Sequence, residues 1–171
     1  FLRMNNGDIG AFYIIKNQDL TDQIVFARSA DEGVSWSKPF NCLDCLEVAD
    51  YFVINNDRVI KLRSGRILFA VARHTVLTEH KRFMPGEICF FYSDDDGASW
   101  HKAEQELPCP FKNNPDGYEE PGLYELPDGR IWCYIRTSLG FQFECFSSDG
   151  GLTWTQPEPN LFFSSACSPM L

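Results

Sequence analysis

Long apolar runs are missing from this chain. None approaches the roughly 18 residues that a membrane-spanning helix needs, so no transmembrane helix is expected. A sustained 3.6-residue apolar period is missing as well, which leaves almost no room for helix. Basic residues are scarce: 15 Lys and Arg stand against 24 Asp and Glu, for a net charge of −9. That balance excludes nucleic acid and anionic membrane surfaces as natural partners. Cys42-Leu43-Asp44-Cys45 has no second pair of its kind and no histidines at ligand spacing, so no metal is expected. The seven cysteines are odd in number and scattered, which excludes a tight disulfide framework. Cys89, Cys133 and Cys145 fall in apolar runs and read as small packed hydrophobes. What the chain does have is 44% hydrophobic and 15% aromatic residues, a composition suited to a globular β protein.

One turn motif is written three times. Ser29 to Trp36, Ser93 to Trp100 and Ser147 to Trp154 all fit S-x-D-x-G-x-[ST]-W. The chain is therefore a repeat protein. In such a turn the Asp accepts hydrogen bonds from backbone N–H groups a few positions on. The Gly supplies a backbone angle that a side chain resists, the hydroxyl adds a local bond, and the Trp brings a large apolar face that can pack between layers. These residues build a rigid connection rather than a catalyst.

A second element precedes each box: an apolar segment, a two-residue turn and another apolar segment. The turns are Asn6-Gly7, Ser64-Gly65 and Asp128-Gly129, a strong hairpin signal. The runs Ile9 to Ile15, Ile67 to Ala72 and Ile131 to Ile135 read as strands buried on both faces. Gln23 to Ala27, Glu87 to Tyr92 and Gln142 to Phe146 read as the strands that lead into the boxes. Short exit strands are expected at Ser37-Lys38-Pro39, His101-Lys102-Ala103 and Thr155-Gln156-Pro157. Four strands per repeat is the pattern of a propeller blade. The expected fold is all-β, with blades at approximately 1–45, 51–110 and 118–171 in a partial propeller domain. Closed propellers have about four to eight blades, so three repeats are expected to be part of a longer protein.

The segment from Tyr118 to Arg136 carries the candidate chemistry. Folded around the Asp128-Gly129 turn, it brings Glu120, at the start of one strand, beside Arg136, at the end of its partner. An arginine closing a buried strand needs a carboxylate partner or an anionic ligand. From spacing alone, a structural ion pair and a ligand site remain open. Asp57 and Arg58, just before a strand, are candidates for the same face. His74 closes its strand in nearly the register of Arg136 and is a further candidate. Arg28 is expected on the surface at the far end of its blade, and Phe141, Phe143, Phe162 and Phe163 as packing residues.

The boxes, together with Glu120, Glu125-Leu126, Asp128-Gly129, a hydrophobic run and Arg136, resemble the sialidase (neuraminidase) superfamily of six-bladed propellers. Asn55-Asn56-Asp57-Arg58-Val59-Ile60, Glu120-Pro121-Gly122 and Cys145 to Gly151 are similar to a bacterial subgroup of BNR-repeat proteins. The resemblance covers essentially the whole chain as three blades of six. It implies an exo-α-sialidase activity that removes terminal sialic acid from glycans through a tyrosyl intermediate. On that match Glu120 polarises the tyrosine and Arg136 is one of three arginines gripping the substrate carboxylate; Asp57, Arg58 and His74 are candidate substrate contacts from their positions alone. A tyrosine, with an ordinary pKa of about 10, needs such a base, and a carboxylate is best held by bidentate guanidinium. The first arginine, the acid/base aspartate, the third arginine and the tyrosine have no match here, so the 171 residues alone are expected to be inactive. No metal or organic cofactor is implied. The rival expectations are a non-catalytic propeller binding glycans or a protein partner, and a glycosidase for another acidic sugar.

Overall fold

The computed structural model describes residues 1–17, 21–46, 50–55, 57–77, 82–112 and 114–163. Among them there is no helix, and the strands gather into three main antiparallel sheets. The first sheet holds β1 (Leu2–Arg3), β2 (Ile9–Lys16), β3 (Asp22–Ser29) and β4 (Phe40–Asn41), side by side in chain order. In the second, β5 (Tyr51–Val53) and β6 (Val59–Lys61) share one edge of β7 (Ile67–His74). After a small separate hairpin, β8 (Val76–Leu77) with β9 (Arg82–Phe83), come β10 (Glu87–Ser93) and β11 (His101–Lys102), which complete that sheet. The third is β12 (Glu119–Glu125), β13 (Ile131–Arg136), β14 (Phe141–Ser147) and β15 (Glu158–Phe163), again in chain order.

The apolar runs after the Gly turns become β2, β7 and β13, and the runs before the boxes become β3, β10 and β14. Alternation of side chains explains why β7 is apolar throughout. Ile67, Phe69 and Val71 enter a core shared with Met4, Ile24 and Phe26 of the first sheet. Leu68, Ala70 and Ala72 enter a second core shared with Leu123, Ile131, Cys133 and Ile135 of the third. The middle sheet is therefore covered on both faces, each buried large side chain contributing about 1.5–3 kcal/mol. The expectation of two-sided burial fails for β2, where Tyr13 and Ile15 are exposed. The exit strands of the first and third repeats also begin later than expected, at Phe40 and Glu158. Both start immediately after a proline, Pro39 and Pro157, which has no N–H to give a ladder. The second repeat has no proline there, and β11 starts directly after Trp100.

The three boxes share one hydrogen-bond pattern. Asp31, Asp95 and Asp149 each accept from the backbone N–H four residues on, at 2.8, 2.8 and 2.9 Å. Each also accepts the hydroxyl of that residue, at 2.6, 2.5 and 2.5 Å. These bonds hold all three carboxyl groups down at a pKa of about 2; for Asp95 and Asp149 burial is the largest single influence and pushes upward, but the hydrogen bonds together outweigh it. Glu32 and Asp96 lie in the left-handed region at φ 58° and 59°, where the third copy has Gly150.

The tryptophans diverge in their surroundings. Trp100 packs on Phe69 of its own sheet and edge-on against Phe12 of the first sheet. Trp154 stacks on Phe90 of the second sheet, centroids 4.1 Å apart. Trp36 makes the same indole bond to its box glycine carbonyl as Trp154, both at 3.1 Å. It nevertheless remains 41% exposed, with Phe1 beside it. Arg28 is not a free surface group. It lies 3.5 Å from Asp8 and 3.6 Å from Asp96 and ties the first sheet to the second box. Asp96 also accepts from the backbone of Asn5 and Asn6. Phe143 is buried and Phe141 is 45% exposed. The side chains of Phe162 and Phe163, the residue Asn56, and Cys167 lie outside the described residues.

Candidate active site

The ends of β7 and β13 and the start of β12 meet on the edge opposite the Gly turns. Glu119 pairs with Arg136 in the ladder, and Gly122 pairs with Tyr134. Glu120 and Pro121 thus stand opposite the single residue Ile135, one residue more on β12 than on β13, a bulge that breaks the alternation and re-aims the side chains. Glu120 sits at φ 44°, an uncommon conformation for a residue with a side chain and one that costs of order 1–3 kcal/mol. Its carboxylate lies 3.0 Å from the Arg136 guanidinium. The two side chains are 15% and 27% exposed, so the pair is open to one side rather than sealed in the core.

Glu119 points elsewhere. Its Oε1 lies 3.2 Å from Nε2 of His74, while Nδ1 of His74 is 3.0 Å from the Met84 carbonyl oxygen. His74 is 6% exposed. Burial works to lower its pKa, but the hydrogen bond and charge of Glu119, the Met84 carbonyl and the charge of Asp116 together raise it above the ordinary value. The ring fits because Gly86 has no side chain: a Cβ there would lie 2.9 Å from His74 Cε1.

Arg58 is buried and donates from Nη1 to the Tyr134 hydroxyl at 2.8 Å. Its guanidinium also lies 5.4 Å from the centre of that ring. Burial pushes the Tyr134 hydroxyl pKa up against the opposing charge of Arg58. Tyr134 in turn packs directly against Gly122, where a Cβ would overlap its hydroxyl oxygen. Asp57 is exposed, at φ 58°. Asp57 and Arg58 stand in the wall of a cleft of about 230 Å³ between the first two sheets. Phe12, Tyr13, Ile14, Ile24 and Ile54 supply its apolar wall.

Of the five residues expected from sequence, Glu120 and Arg136 are in direct contact. Asp57 and Arg58 lie in the neighbouring cleft, joined to β13 through Tyr134. His74 is at the expected strand end but beneath the surface. Sequence reasoning missed Glu119 and Tyr134. The signal for Glu119 was a proline followed by a glycine within a strand, which marks a bulge. Among the described residues no group of His, Cys, Asp and Glu is arranged to hold a metal ion.

Residues 1–166 match the BNR repeat-like domain family. The chain belongs to that family. Curated relatives of this BNR-repeat chain are sialidases. It is 30% identical over 145 residues to the anhydrosialidase of Macrobdella decora, covering 81% of this chain and 17% of the relative. It is 25% identical over 159 residues to rat (Rattus norvegicus) sialidase-3, covering 86% and 36%. The BNR-repeat chain thus spans well under half of the length of these relatives. Among solved structures, the NanB sialidase of Streptococcus pneumoniae superposes with a TM-score of 0.63 at 25% identity, over 85% of this chain and 20% of that one. The BNR repeats are sialidase-like in sequence and in fold.

Proposed function

We propose that the three sheets are consecutive blades, at approximately 1–45, 51–110 and 118–171, of a closed six-bladed propeller. Its activity is the hydrolysis of terminal sialic acid from glycans. Sialidase relatives support the substrate class. The tryptophans support the ring: Trp100 and Trp154 each pack against the sheet before their own, and Trp36, the counterpart in the first sheet, is 41% exposed.

The observation that carries the enzymatic reading is the Glu120–Arg136 pair, partly open at a strand end and with Glu120 in a strained backbone conformation at a bulge. Strain of this kind concentrates at functional sites. In this reading Arg136 grips the sugar carboxylate, and Glu120 takes the proton of a tyrosine supplied by another blade. That tyrosine, neutral until its proton passes to Glu120 during attack, displaces the aglycone from the anomeric carbon. The glycosidic C–O bond breaks, the departing oxygen takes a proton from an aspartic acid outside these residues, and water then hydrolyses the tyrosyl glycoside with net retention. Such a nucleophile departs from the usual two-carboxylate scheme of glycosidases. A neutral nucleophile avoids the repulsion that a carboxylate would meet from the sugar's own charge. Asp57 and Arg58 contact the remainder of the sugar from the adjoining cleft.

The test is turnover of a fluorogenic α-sialoside by the full-length protein. Glu120→Gln should lower kcat, by the roughly 10²–10⁴-fold typical of a lost general base. Arg136→Lys should raise KM. A wild-type protein that binds sialosides without cleaving them would replace this reading with a glycan-binding propeller. Preference for a uronic acid glycoside would replace it with another acidic-sugar glycosidase. The 171-residue chain by itself should show no turnover.

A further inference from the structure

We infer that His74 is a positioning residue that acts through Glu119, anchoring from the second sheet the bulge that aims Glu120 at Arg136. The inference rests on the proposed roles of Glu120 and Arg136.

The two ring nitrogens report the charge of His74. Nδ1 faces the Met84 carbonyl oxygen at 3.0 Å, and that oxygen can only accept. Nδ1 therefore carries a proton. Nε2 lies 3.2 Å from Glu119 Oε1, within ion-pair distance but off the line of a fully formed hydrogen bond, and an ionised carboxylate only accepts. A neutral ring with its proton on Nδ1 would set a lone pair beside that carboxylate, with no charge to attract it. The arrangement is satisfied when both nitrogens are protonated, so His74 and Glu119 form a buried ion pair between β7 and β12.

Other groups around the ring fit a cation. Asp116, from the segment leading into β12, adds negative charge. From β5, the Tyr51 ring lies 5.8 Å from His74. The Lys16 ammonium, from the end of β2, is a positive group on this side and lies 5.1 Å from that tyrosine ring. The backbone brings the partners together: Gly86 donates to the Asp116 carbonyl at 2.8 Å, and Tyr118 donates to the Gly86 carbonyl at 2.9 Å. This bridge fixes the segment immediately before Glu119 against the strand that comes after Met84.

Glu119 has two attachments, its backbone pairing with Arg136 and its side chain on His74. Glu120 is the next residue and has φ 44°. When His74 loses its proton, the carboxylate faces a lone pair, the side-chain anchor fails, and the bulge is free to relax toward ordinary φ. The guanidinium of Arg136 then loses the register that presents it to a substrate.

The test uses the full-length protein and two readouts. Side-chain NMR of His74, assigned with His74→Gln, should show an imidazole that titrates above the ordinary value of about 6.5 in wild type and returns toward it in Glu119→Gln. That readout needs no sialidase activity, so it separates this inference from the reading of the enzyme. The second is the pH dependence of kcat/KM on a fluorogenic sialoside. Wild type should lose on the order of tenfold through the alkaline limb set by His74, the scale of coupling between neighbouring groups. Glu119→Gln, whose amide can donate to a neutral Nε2, should lack that limb and keep its remaining activity at higher pH. An imidazole that titrates at or below about 6.5 in wild type overturns the ion pair. A pH profile identical in wild type and Glu119→Gln overturns the positioning role. If the full-length protein cleaves no sialoside, the NMR result still decides whether the anchor exists.

Discussion

Gly122→Ala puts the packing over β12 to the test. Gly122 lies under the ring of Tyr134, where a Cβ would stand 2.5 Å from Cε2 and closer still to Cζ and the hydroxyl oxygen. Carbon atoms prefer about 3.5–4.0 Å, so the ring must retreat by about 1 Å or more. Tyr134 is 4% exposed and holds Arg58, so it has little space to retreat into and a buried guanidinium to abandon if it does. Overpacking of this kind costs about 1–3 kcal/mol. With a urea m-value of about 2 kcal/mol per molar, a loss of about 2 kcal/mol moves the unfolding midpoint by about 1 M. The decisive measurement is a double-mutant cycle. In a Tyr134→Ala background the atoms that the new methyl would strike are gone, so Gly122→Ala should there cost under about 0.5 kcal/mol, leaving a coupling well above the additivity limit of about 0.5 kcal/mol. Equal costs in the two backgrounds would refute the claim that glycine is required because of the tyrosine.

Other parts of the molecule carry expectations of their own. The carboxyl groups of Asp31, Asp95 and Asp149 have pKa values of about 2, below the unfolded value near 3.8. Their stabilisation is complete above about pH 4 and disappears as pH falls through about 2. A variant with Asn at all three positions should show a shallower acid-unfolding curve over that window, and an unchanged curve would disprove the linkage. Trp154→Ala should cost about 3–5 kcal/mol by urea unfolding. In the isolated 171-residue chain Trp36→Ala should cost markedly less, whereas in the full-length protein the two losses should converge if another sheet covers Trp36. Thiol titration of native protein should label exposed Cys45 quickly and leave Cys42, Cys89, Cys133 and Cys145, each 0% exposed, unreacted until unfolding. Rapid native labelling of those four would contradict the packing of the two cores.

The strands were legible because a strand buried on both faces is apolar at every position, and Ile67 to Ala72 is such a run. The boxes were legible because their chemistry is local: the Asp, Gly and hydroxyl all act within a few residues. What escaped depends on distant partners or on a single backbone group. The late starts of β4 and β15 turn on one missing N–H in Pro39 and Pro157. The burial of His74 depends on Met84 and on Glu119, which comes from another sheet. Arg28 looked like a surface residue because Asp96, its partner, belongs to the next repeat. At the candidate site, the meeting of Glu120 and Arg136 was foreseeable from hairpin geometry, but the bulge that separates the duties of Glu119 and Glu120 was not.

The backward reach of the box indoles makes the molecule polar along its own length. Trp100 and Trp154 dock on a layer that precedes theirs in the chain, so a newly made layer brings its own adhesive to a surface already waiting. Assembly during synthesis can advance from the amino-terminal side, leaving only the seam that closes the proposed ring for the last layer. Duplicating or deleting one whole unit would carry its glue along with it, so each joint is self-contained and only closure of the proposed ring fixes the number of units.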